Sequence, residues 1–116
     1  MSYIDGYLIP VPEGKLDAYR AMAEEMAPKF KEWGATRVVE AVEDDCPVGK
    51  LNDFHTAVLA EGSEKTIFSW VEWPSKEARD AGWAKMEQWM ETAEEFDPPF
   101  DGKRMIFGGF NPIVDQ

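Results

Sequence analysis

The chain has 116 residues, with 12 Lys and Arg against 23 Asp and Glu, a formal net charge of −11. A surface of that sign repels a phosphate backbone, which excludes nucleic acid or an anionic membrane as the main partner. At 44% hydrophobic residues the composition is that of a folded protein, not a disordered one.

The length suits one domain with a core of its own. A single cysteine, Cys46, permits no internal disulfide. No apolar run approaches the roughly 18 residues of a membrane helix, and the opening Met1-Ser2-Tyr3-Ile4-Asp5 lacks the basic and apolar blocks of a secretion signal. A cytoplasmic protein is expected.

Tyr3 to Val11 reads as a strand of aromatic and branched residues, ended by Pro10 and Pro12. From Lys15 to Trp33 the period changes. Leu16, Tyr19, Met22, Ala23, Met26, Phe30 and Trp33 recur every three or four residues, the stripe of an amphipathic helix. Pro28 should kink that helix or end its regular part, and Gly34 stops it. Ala35 to Asp44, with Val38, Val39 and Val42, suggests a second strand. The stretch of about 20 residues that follows, near 45–64, is long for a link between antiparallel strands. It holds a turn at Cys46-Pro47-Val48-Gly49 and a short helical turn capped by Asn52 or Asp53.

Thr66 to Trp73 is the clearest strand. Pro74 breaks it, Ser75 caps a second helix, and Asp97-Pro98-Pro99 is expected to end that helix. A last strand runs from Lys103 to about Phe110, with Gly108-Gly109 marking a bulge or a close backbone approach. The resulting order β-α-β-β-α-β is the α+β ferredoxin-like pattern, an antiparallel sheet with both helices on one face.

Giving the more uniformly apolar set of each strand to the helices places Ile4, Leu8, Ile67, Val71, Met105 and Phe107 on the helix side. The second face then carries Tyr3, Asp5, Tyr7, Ile9, Phe68, Trp70, Glu72, Arg104, Ile106 and Phe110, while Arg37 and Glu40 cannot be assigned. So apolar a face needs cover, and a second copy of the chain is the simplest one. Asp5, Glu72 and Arg104 there either form ion pairs that fix the dimer or, with Tyr7 and Trp70, line a ligand site.

Other chemistry finds little footing. His55, the only histidine, has nothing in sequence to orient it as a base. Asp44, Asp45, Cys46 and His55 match no zinc spacing, and the acidic neighbours of Cys46 disfavour a thiolate. Gly108-Gly109 precedes no helix and is no phosphate loop. Neither metal nor cofactor is expected, and no catalytic residue is identified.

Several segments in order resemble the uncharacterised bacterial YbaA-like family of the dimeric α/β-barrel superfamily. They include Tyr3-Ile4-Asp5-Gly6-Tyr7, Asp17-Ala18-Tyr19-Arg20, Ala27-Pro28, Asp53-Phe54, Phe68 to Glu77, Arg79-Asp80-Ala81, Pro99 to Ile106 and Gly108-Gly109-Phe110. The resemblance implies a ferredoxin-like protomer and a homodimer whose two sheets form a barrel. Its superfamily includes cofactor-free monooxygenases acting on aromatic compounds, haem proteins and stress-responsive proteins. Two functions stay open: binding or oxidation of a small aromatic or polar ligand in a barrel cavity, or a non-enzymatic stress or interaction module whose charged sheet residues only stabilise the dimer.

Overall fold

In the computed structural model, which describes residues 2–93 and 96–116, β1 (Tyr3–Pro12) runs through a 3-10 turn at Glu13–Lys15 into helix α1 (Leu16–Glu32). Pro28 lies inside α1 without ending it, and the helix stops where Gly34 takes φ +114°, a conformation open to glycine. Strand β2 (Arg37–Val42) follows, then the short helix α2 (Phe54–Ala57), β3 (Glu64–Trp73), helix α3 (Lys76–Thr92) and β4 (Ile106–Phe110). Asp53 caps α2 in a reciprocal box with Thr56, and the Ser75 hydroxyl accepts from the Ala78 amide to cap α3.

The four strands form one antiparallel sheet in the order β2-β3-β1-β4. This is the α+β ferredoxin-like fold, with α1 and α3 on one face. Two expected boundaries move. Helix α3 ends at Thr92, ahead of Asp97-Pro98-Pro99, with Ala93 already extended. Lys103 and Arg104 lie in a turn, and Met105 follows it, before β4 instead of inside it.

The register also reverses the expected faces of β1. Tyr3, Asp5, Tyr7 and Ile9 pair with Trp73, Val71, Ser69 and Ile67. In β1 it is therefore the odd-numbered set that points to the helices: Asp5 and Val11 are fully buried and Ile9 nearly so. Residue composition misled here because Ile4 and Leu8 look more like core than Asp5 does. The pairing that lets two indoles reach Asp5 is not visible in sequence. The assignments of Phe68, Trp70, Glu72, Ile106 and Phe110 to the other face stand, since they share it with Ile4, Gly6 and Leu8. Arg37 joins that open face and Glu40 the helix face, which the sequence left undecided.

The core divides into two clusters. One gathers Ile9, Val11, Tyr19, Ala23 and Ile67, the other Tyr3, Ala35, Val71 and Trp73, and Tyr7 packs against both. At the second cluster α3 approaches closely through Gly82. A Cβ there would overlap the Trp73 ring and stand 2.9 Å from the Trp33 carbonyl oxygen. The long connection after β2 folds back on the open face: α2 packs on β1 and β3, and Phe54 meets Phe68 edge-on at 6.2 Å between centroids.

Candidate functional site between the sheet and the helices

Between the two core clusters a cavity of about 250 Å³ opens under α1 and α3. Its apolar wall comes from Met22, Met26 and Phe30 of α1, Trp83, Met86 and Met90 of α3, and Met105 and Phe107 near β4. All five methionines beyond Met1 line this one space. Thioethers are polarisable and adapt to ring shapes, so such a wall suits varied aromatic surfaces.

The floor is polar. Phe107 pairs with Tyr7, Tyr7 with Ser69, and Ser69 with Glu40, so these side chains form one row across all four strands on the helix side. Glu40 sits on the cavity's border with a second groove between α1 and β2, into which Tyr19 and Arg20 also project. The Tyr19 hydroxyl donates to Glu40 Oε1 at 2.6 Å. Glu40 keeps an exposed edge along β2, yet its carboxyl is crowded by protein atoms, and that desolvation lifts its pKa above the ordinary glutamate range despite the Tyr19 and Ser69 hydroxyls. Burial, reinforced by the negative charge of Asp5 and Glu40, raises the Tyr7 phenol as well, so Tyr7 stays a neutral donor at any working pH.

Beside the cavity lies an ion pair of a different kind. Asp5 accepts from the indole N–H of Trp73 at 2.9 Å and of Trp83 at 3.0 Å, and Arg79 reaches it at 3.0 Å. The Arg79 guanidinium lies 3.8 Å from the Trp83 ring centroid and 5.4 Å from that of Tyr3. Burial opposes the Arg79 charge, but the bonds to Asp5 and Asp80 outweigh it and raise its pKa.

Of the residues singled out in the sequence, the structure brings Tyr7 to the cavity and separates the rest. Asp5 is enclosed by its three donors. Trp70 donates to Glu72 at 2.9 Å on the open face, where Arg37 lies 3.6 Å from the same carboxylate. Arg104, in its turn, binds Glu64 at 2.6 and 2.7 Å, Asp101 at 3.0 Å and the Leu59 carbonyl at 2.9 Å. That last bond steadies a residue held at φ +50°. His55 pairs with Glu43 at 2.7 Å; burial works against the Glu43 charge, but His55 and the Thr66 amide lower its pKa. Among the described residues no three of His, Cys, Asp and Glu converge as a metal site.

Sequence reasoning passed over Ser69, Tyr19 and the methionine wall. Ser69 did carry a signal: it interrupts the apolar set Ile67, Val71 and Trp73 on the inward face of the clearest strand.

Residues 2–102 match the family described as "Protein of unknown function (DUF1428)". The Uncharacterized protein YbaA of Escherichia coli K12 is 52% identical over 119 residues, an alignment that covers all of both chains. Its counterpart in Shigella flexneri matches to the same extent. Among solved structures, a Bacillus cereus protein provisionally designated an antibiotic biosynthesis monooxygenase superposes with a TM-score of 0.53 at 16% identity, over 99% of this chain and 96% of that one. This last likeness concerns the fold.

Proposed function

The chain belongs to the DUF1428 family, and we propose that it binds a small aromatic ligand in the cavity between its sheet and its helices. One observation carries this reading: an apolar, methionine-rich wall closing over a floor with a few convergent polar groups, Tyr7, Ser69 and Glu40. That is the usual make-up of a ligand site. At about 250 Å³ the space exceeds the roughly 150 Å³ that admits benzene in an engineered core, so one or two fused rings fit. The site differs from the expected barrel interior, because Tyr7 points to the helices. The designation of the Bacillus cereus protein adds no chemistry, since a shared fold does not imply a shared reaction. Binding rests on the cavity itself.

A second copy of the chain is proposed to cover the open sheet face. Phe68, Ile106 and Phe110 stay largely exposed there beside Ile4, Leu8 and Trp70, while Arg37 and Glu72 supply a cation and an anion to the same face. A twofold axis presents each copy's pair to the other's. Within that arrangement Glu72 serves the interface, while Asp5 and Arg104 brace the protomer.

Titration with naphthalene, followed through intrinsic tryptophan emission, tests the ligand site. Saturable binding is expected, weakened at least tenfold by Ala23→Leu, which adds side-chain volume to the cavity wall. Equal binding by a folded Ala23→Leu protein places the ligand elsewhere.

A further inference from the structure

Among the described residues that line the cavity, Glu40 is the one that carries charge. Its partners are hydroxyls and not cations. Protein atoms crowd its carboxyl on the cavity side, while the residue keeps an exposed edge along β2.

The arrangement defines what the carboxylate can do. Tyr19 from α1 occupies one lobe at Oε1 and fixes the rotamer, while an ionised carboxylate has about four acceptor sites. A ligand acid would meet like charge. An ammonium would be attracted to Glu40 but offers no lone pair to the Tyr7 phenol, the neutral donor in the same cross-strand row. A ring hydroxyl satisfies both, donating to Glu40 and accepting from Tyr7.

Resting on the ligand site proposed above, we infer that this cavity selects aromatic molecules that carry a ring hydroxyl, and that Glu40 is the acceptor that selects them. The methionine wall holds the ring system without fixing its outline, so specificity lies in the polar row and the hydrophobic surface sets only the size.

The test compares 2-naphthol with 2-methylnaphthalene on the full-length protein by fluorescence titration. The two are close in size, and burial alone favours the methyl compound. The wild type is expected to bind 2-naphthol at least tenfold more tightly. Glu40→Gln keeps a neutral acceptor and should reduce that preference severalfold, because bonds to an ionised partner are about twice as strong as neutral ones. Glu40→Leu should remove it while leaving 2-methylnaphthalene binding in place. Equal affinities in the wild type, or a preference that survives Glu40→Leu, overturn the assignment of Glu40 and leave the cavity intact as a binding site. Failure of both compounds to bind overturns the cavity reading and the selectivity together.

Discussion

The indole N–H of Trp83 donates to the Asp5 carboxylate at 3.0 Å, and that bond ties the wall of the cavity to the centre of the sheet. Asp5 also takes the Trp73 indole and the Arg79 guanidinium, so three donors depend on one buried acid. Asp5→Ala takes from Arg79, only 14% exposed, its buried counter-charge and leaves it the more exposed Asp80 alone. Breaking a buried pair from one side costs about 3–5 kcal/mol. Urea unfolding should register that loss. A change below about 1 kcal/mol, the scale of an exposed ion pair, contradicts the account of Asp5 as the brace of this wall.

Gly82 sets how near α3 comes to the sheet. A methyl group there meets the Trp73 ring and the Trp33 carbonyl, both fixed parts of the core. Gly82→Ala should therefore destabilise the protein by about 1–3 kcal/mol, the range for overpacking, despite alanine's better helix propensity. It should also loosen the ligand site by lifting Trp83 and Met86. A Gly82→Ala protein that is more stable than the wild type counts against this packing.

Glu40 gives a pH dependence with a definite sign. It is faced by Tyr19 from α1, Tyr7 from β1 and Ser69 from β3, and its folded pKa is raised by desolvation. Between the ordinary glutamate pKa and that raised value, the folded chain keeps a proton that the unfolded chain has released. This contribution to stability therefore falls as pH rises through that window, and ionised Glu40 destabilises the fold above it. Glu40→Gln should melt higher than the wild type at neutral pH, and the difference should close below about pH 4, where the unfolded carboxyl is protonated too. Thermal melts across this range decide it. A variant that melts lower at neutral pH contradicts the assignment.

For the open face, Phe68→Lys introduces a charge where a second sheet is proposed to lie. Phe68 is 47% exposed in the protomer, so the fold should survive. Light scattering at micromolar concentration should give twice the chain mass for the wild type and the single mass for Phe68→Lys. A monomeric wild type removes the dimer from the account.

The element order was readable because helical and strand periods alternate cleanly and Pro74, Ser75 and Gly34 punctuate them. The faces were only partly readable. In β1 a buried acid broke the pattern that marks a core face, and only the distant Trp73, Arg79 and Trp83 explain why Asp5 belongs inside. Arg104 was misplaced by a boundary: the turn at Gly102–Arg104 delays β4, and an arginine expected on the sheet pairs with Glu64 instead. The candidate site was the least legible part. Its polar row joins Tyr7, Ser69 and Glu40 through register across three strands, and register is a property of the pairing, not of any one strand.

The most direct test is an NMR titration of the methionine, isoleucine and leucine methyl groups with 2-naphthol. If the ligand occupies the space beneath α1 and α3, the signals of Met22, Met26, Met86, Met90 and Met105 shift together and saturate at one affinity. If those five stay fixed while the methyl groups of Ile4, Leu8 and Ile106 move, the ligand lies on the open sheet face and the site described between sheet and helices is wrong.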